Sequence, residues 1–270
     1  MTRGFIFDLD GTVYLEDRLI KGAAEVLTYL RKRGDKVVFL TNKPIATRMD
    51  YLLKLKQLGI QCELIEIINS SYLTANYLKQ NTTRDDAVYV IGEQPLLDEL
   101  RRENIKVTYD SSKATIVVLS WDRKFSYEKI YDAYKAWEKN NAKIVATNPD
   151  RTCPLSDGEV PDCGAIIGAI EGSTGRKIDY VIGKPSSFTA KHVVEKVLKL
   201  KPENCFMVGD RLDTDIRMGK ENGLNTILVL TGVTSESMVK CSPLKPTYVM
   251  ESVKGIMDID SYSIFPEMNI

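Results

Sequence analysis

The stretch Phe5-Ile6-Phe7-Asp8-Leu9-Asp10-Gly11-Thr12 constrains this chain more than any other. Phe5, Ile6, Phe7 and Leu9 crowd into five positions without a turn former, the pattern of a short strand buried on both faces in a parallel sheet covered by helices. Two carboxylates interrupt it. Side chains two apart on extended backbone point the same way, so Asp8 and Asp10 converge just past the strand, and Gly11 lets the chain turn sharply after them. Paired acids at the end of an apolar strand carry charge that has to be neutralised. A divalent cation such as magnesium does this simply, because it takes the hard oxygen ligands that carboxylates supply.

Downstream, Ala23, Val26, Leu27 and Leu30 form a helical stripe within 19–32, closed by Gly34. Lys36 to Leu40 reads as the next strand, ending in Thr41-Asn42-Lys43-Pro44, and helices follow at 46–58 and 70–78. This βαβα order predicts an α/β fold with a doubly wound parallel sheet. Residues 81–86 are polar and mark a boundary. Beyond them runs a second series: strands at 87–91, 115–119 and 143–146, helices at 93–102, 127–138 and 163–171, and a loop rich in turn formers at 147–154. Tyr180-Val181-Ile182 reads as a strand ending in Gly183-Lys184-Pro185, and 188–198 as a helix. Cys205 to Val208 repeats the opening design, a buried strand running into Gly209-Asp210-Arg211-Leu212-Asp213-Thr214-Asp215. A helix to about Asn222, a strand at 226–230 and a short one at 248–249 complete the series. Residues 261–270 have no clear period and are expected to pack loosely. The expected organisation is a Rossmann-like core from residues 1–80 and 181–270, with a second α/β domain inserted at 81–180.

With 37 Lys plus Arg against 37 Asp plus Glu, the chain has no net charge and no electrostatic case for nucleic acid or an anionic membrane. No apolar run approaches the ~20 residues needed to span a bilayer. Five cysteines, with no CxxC pair, point to free thiols in a reducing cytoplasm rather than disulfides or a zinc site. Cys153 and Cys163 read as small residues in a loop region. The one histidine, His192, reads as a helix surface residue, which argues against Ser-His-Asp and multi-histidine metal chemistry. Trp121 and Trp137 read as core of the inserted domain, and Asp213 as a helix N-cap.

In a parallel sheet the carboxyl ends of the strands share one edge, so the ends at Asp8/Asp10, Thr41, Lys184 and Asp210/Asp215 supply complementary chemistry to one place. Three carboxylates suit a cation; a hydroxyl with backbone N–H groups and one ammonium suit an anion. Phosphoryl transfer uses such a set, with Asp8 attacking phosphorus and Asp10 acting as acid and then base. In the loop of the middle segment, Asn148, Asp150 and Arg151 are candidates to face substrate, with turn formation an equal account of Asn148 and Asp150.

These motifs resemble those of haloacid dehalogenase superfamily phosphatases: Asp8-Leu9-Asp10-Gly11-Thr12 their first, Thr41-Asn42 their second, Lys184 their third, Gly209-Asp210 through Asp215 their fourth. The insert between Thr41 and Lys184 is similar to the α/β cap of the NagD-like and p-nitrophenyl phosphatase subfamily, notably at Ser120-Trp121-Asp122, 146–150 and 161–165. The resemblance implies magnesium held by Asp8, Asp210 and the backbone carbonyl of Asp10. It makes Asp215 a ligand through water or an anchor behind the ligands. Phosphate contacts are implied at Leu9, Asp10, Thr41, Asn42 and Lys184. The expected activity is hydrolysis of small phosphate monoesters, such as sugar phosphates or nucleoside monophosphates, through an aspartyl-phosphate. The alternative is a phosphometabolite sensor with incidental turnover. The partner is then a small phosphorylated metabolite; a homodimer through the cap stays open, since no apolar stripe marks an interface.

Overall fold

The structure, a computed structural model, describes residues 2–155 and 158–261 of the 270. The tail expected to pack loosely therefore lies outside the described residues from 262 onward. By backbone contacts the chain divides into two compact units: 1–41, 49–68 and 185–270 in the first, 42–48 and 69–184 in the second. The helix Ser70–Asn81, expected with the core, groups with the second unit because it packs on Gln94–Arg102. The boundary thus falls before this helix rather than in the polar stretch after it.

In the first unit a six-stranded sheet runs in the order Tyr248–Met250, Asn225–Val229, Cys205–Gly209, Gly4–Phe7, Lys36–Thr41, Ile67–Asn69. Gly4–Phe7 is central and pairs in parallel with Cys205–Gly209 on one side and Lys36–Thr41 on the other. Its residues are buried on both faces, as the uninterrupted apolar run requires, and the Phe5 ring stacks on Phe206 with centroids 4.9 Å apart. The chain leaves the central strand toward Lys36–Thr41 and returns much later on its other side. In open α/β sheets such a reversal of strand order marks the usual ligand position, here the carboxyl end of Gly4–Phe7. The expected helices are present at Ala23–Lys32 and Arg48–Gln57, and the one at 188–198 as Ser187–Lys191 continued in wider turns by His192–Leu198. His192 is half-buried, its ring tilted against Phe188, rather than on the open surface.

The second unit has its own five-stranded parallel sheet, ordered Tyr180–Val181, Lys143–Ala146, Ile116–Leu119, Val88–Ile91, Val107–Thr108. Tyr127–Asn140 and Cys163–Thr174 cover it through Ala133, Ala136, Ile166 and Ile170, with Trp137 packed against this core and Trp121 buried. The turn-rich loop proves to be more ordered than expected. Thr152–Leu155 and Gly158–Pro161 form an antiparallel ribbon, which places Cys153 in a strand, while Cys163 opens a helix. Both thiols are buried. Among the described residues no helix is long and apolar enough to cross a membrane.

Candidate active site

In the first unit the ladder between the central strand and its neighbour extends one residue past Phe7, where the Asp8 N–H donates to the Val208 carbonyl at 2.8 Å. The chain then coils tightly. The Leu9 carbonyl accepts from the N–H groups of Thr12, Val13 and Tyr14 at 3.3, 2.9 and 3.2 Å, and Gly11 takes φ +81°, a conformation that a side chain would strain. This turn fixes Asp8 at the strand end. Asp210 follows the Cys205–Gly209 strand directly, and its Oδ2 accepts from the Val233 N–H at 2.7 Å. Asp215 lies in the wide first turn of the helix that follows, where its Oδ2 accepts from the Arg211 N–H at 3.1 Å.

Asp8, Asp210 and Asp215 each present a carboxylate oxygen within 4.8 Å of the others, and all three residues are buried, to 8, 2 and 0 % exposure. Three buried anions this close repel one another strongly unless a cation sits among them. The donor set is hard oxygen throughout, which fits magnesium. The walls fit as well: Gly11 and Gly232 lie against the Asp210 carboxylate and Gly209 against that of Asp215, where a Cβ would intrude at 2.7, 2.0 and 2.2 Å. The Thr12 hydroxyl is buried without a partner in the turn beneath.

The Asp10 carboxylate does not join this triad. Asp10 is half-buried and bridges to Tyr14, whose hydroxyl is held protonated far above its ordinary range by burial and by the nearby Asp10. Thr41 is buried at the end of Lys36–Thr41. Asp213 sits exposed inside the first turn of its helix rather than at the N-cap: the helix begins at Leu212, so the cap position is Arg211, whose side chain makes no capping bond. Sequence reading missed the loop after Asn225–Val229, where Thr231 donates to the Gly11 carbonyl at 2.6 Å and Gly232 and Val233 frame Asp210. Its only signal is small residues just past a buried strand.

In the second unit Asn42 and Lys184 meet, both buried. The Lys184 N–H donates to Asn42 Oδ1 at 2.8 Å, and Asn42 Nδ2 donates to the Lys184 carbonyl at 3.0 Å. Asp150 Oδ2 accepts from Asn42 Nδ2 at 2.8 Å and from Asn148 Nδ2 at 2.9 Å. Asn148 is fully buried and Asp150 nearly so, and these bonds engage them with Asn42; Arg151 is exposed. Burial, reinforced by Asp162, pushes the Cys163 thiol far above its ordinary range, which leaves it no nucleophilic role near neutral pH.

A family model described as haloacid dehalogenase-like hydrolase matches residues 5–106, and a second HAD-hydrolase-like model matches 181–256. The chain belongs to the haloacid dehalogenase-like hydrolases. Within that family it is a NagD-like phosphatase, a phosphoric monoester hydrolase. It is 37 % identical to the sugar-phosphatase AraL of Bacillus subtilis over 253 residues, 94 % of this chain and 91 % of that protein. Among solved structures, the p-nitrophenyl phosphatase from Archaeoglobus fulgidus superposes with a TM-score of 0.89 at 33 % identity, covering 96 % of this chain and 99 % of the other. NagD from E. coli K-12 superposes at 0.84 and 31 %, covering 94 % and 98 %. The haloacid dehalogenase-like motifs lie at the strand ends just described, and the insert carries the second sheet.

Proposed function

We propose that this NagD-like phosphatase is a magnesium-dependent enzyme that hydrolyses small phosphate monoesters, sugar phosphates or nucleoside monophosphates among them, through an aspartyl-phosphate. The observation that carries the reading is the convergence of the buried Asp8, Asp210 and Asp215 carboxylates at one sheet edge. These side chains, with the Asp10 carbonyl, would hold the ion, which when bound supplies positive charge against the phosphoryl oxygens. The Asp8 carboxylate attacks phosphorus in line, forming an acyl-phosphate bond as the ester P–O bond breaks. Asp10 gives its proton to the departing alcohol oxygen, then takes one from the water that opens the intermediate, which restores Asp8 and releases inorganic phosphate. Thr41 and Lys184, with the backbone at Leu9, Asp10 and Asn42, bind the phosphoryl group and compensate its charge.

Five free thiols and a neutral overall charge support a cytoplasmic enzyme acting on small metabolites rather than on nucleic acid. The test is phosphate release from p-nitrophenyl phosphate and a panel of sugar, nucleotide, glycolate and pyridoxal phosphates, with and without magnesium, for the wild type and Asp8→Asn. Metal-dependent turnover that disappears in the variant is expected. Turnover that survives Asp8→Asn would remove the nucleophile from the mechanism.

A further inference from the structure

Asn42 follows Thr41 directly and would be expected to contact phosphate, yet its side chain is fully engaged elsewhere. An asparagine amide offers one acceptor oxygen and two N–H donors. The oxygen takes the Lys184 N–H at 2.8 Å, one donor returns to the Lys184 carbonyl at 3.0 Å, and Nδ2 also donates to Asp150 Oδ2 at 2.8 Å. The first two bonds close a ring across a single residue, so they fix the backbone from which the Lys184 side chain departs. The third decides which way the amide faces. A carboxylate accepts only, so Asp150 selects the orientation with Nδ2 toward itself; the flipped amide would set oxygen against oxygen and present NH2 to the Lys184 N–H.

Asp150 is itself held. Asn148 donates to the same Oδ2 at 2.9 Å and to Asp162 Oδ1 at 3.1 Å, and accepts from the Thr147 hydroxyl at 2.8 Å. Gly183 lets the strand end come this close: its N–H donates to the Thr147 carbonyl at 2.9 Å, and a Cβ there would lie 2.5 Å from that oxygen and 2.6 Å from Asn42 Oδ1. Asn42, Asn148, Asp150 and Lys184 are all buried, so solvent does not substitute readily for a lost partner.

We propose that Asp150 and Asn148 act as positioning residues for Lys184, through the Asn42 amide whose orientation they set. Their work is to place the lysine rather than to touch substrate. This rests on the reading of Lys184 as the phosphoryl-binding lysine. Lost bonding that lets Lys184 move by about 1 Å should lower kcat/KM by roughly ten- to a hundred-fold.

The test is a double-mutant cycle of Asp150→Asn against Lys184→Ala, which separates action through the lysine from general damage. For the four proteins in magnesium buffer, kcat/KM on p-nitrophenyl phosphate and the affinity for inorganic phosphate are measured, with circular dichroism melting to verify folding. Asp150→Asn keeps the shape and removes the acceptor-only group; Asn42→Asp, which keeps the acceptor for the Lys184 N–H, serves if the first variant does not fold. The expected result is a ten- to hundred-fold loss from Asp150→Asn alone, little further loss in the Lys184→Ala background, and an unchanged magnesium requirement. Losses that multiply in the double variant, or a Lys184→Ala protein that binds phosphate like the wild type, overturn the proposal. A wild type that binds phosphate but hydrolyses nothing overturns the phosphatase mechanism instead, while the binding cycle still decides this one.

Discussion

Gly232→Ala is the sharpest probe of the three-carboxylate site, because it alters no charged group. An added Cβ at Gly232 would stand 2.0 Å from Asp210 Oδ2 and 2.5 Å from its Cγ. Non-bonded atoms rest at about 3.5 Å, so the carboxylate must retreat by about 1 to 1.5 Å. It has little freedom to do so, since Oδ2 is bonded to the Val233 N–H at 2.7 Å and relief of the clash breaks that bond. Overpacking of this kind costs about 1–3 kcal/mol, which in a chain of this size lowers Tm by roughly 2–10 °C. A metal ligand displaced by about 1 Å should cost far more in rate than in stability, of order a hundred-fold in kcat/KM. The assay is hydrolysis of p-nitrophenyl phosphate over a range of magnesium concentrations, beside a thermal melt. The expected variant is folded, slow and in need of more magnesium. A variant with wild-type kcat/KM and magnesium dependence would mean that the position of Asp210 does not matter, and the metal assignment would fail.

Three further outcomes follow from the same geometry. Asp10→Asn should lower kcat by roughly 10²- to 10⁴-fold, the usual worth of a general acid–base, while leaving the affinity for inorganic phosphate nearly unchanged; steady-state kinetics and calorimetry separate the two. With Ellman's reagent at pH 8 the native protein should show one fast thiol, the exposed Cys241, and four slow ones that react after denaturation. Burial pushes Cys62 and Cys205 up to about 11, leaving only about one thiolate in a thousand at that pH; fast titration of more than one thiol would contradict the burial. Leu30→Ala, in the fully buried stripe of its helix, should cost about 2–5 kcal/mol in urea unfolding; a loss below 1 kcal/mol would show that the helix does not seat on the sheet as described.

The strand ends were legible because each breaks an apolar run locally: Asp8 after Phe7 and Asp210 after Gly209 stand out whatever lies around them. The ribbon Thr152–Leu155 with Gly158–Pro161 was not, since Pro154, Pro161 and Gly158 read as turn formers. A two-stranded ribbon consists of edge strands only, and edges tolerate proline. Ile67–Asn69 is too short for any period to show. The position of Asp213 was lost to a two-residue shift in where its helix starts, which composition does not resolve. Asn148 and Asp150 illustrate a deeper limit. A turn-forming Asn-Pro-Asp and a buried amide network look alike in one dimension, because the deciding partner, Asn42, lies 108 residues from Asp150.

The central strand's two neighbours reach it at different times during synthesis. Gly4 pairs with Lys36, 32 positions on, but also with Cys205, 201 positions on. A growing chain can close the first pairing early, whereas the second waits until the strands of the other sheet, Val88 to Val181, have all left the ribosome. For that interval Gly4–Phe7 offers one open edge, and its phenylalanines lack the cover they have in the finished sheet. The segment that leads into Asp8 is thus open to mispairing in a nascent chain, and a product terminated before Cys205 would keep that edge unpaired.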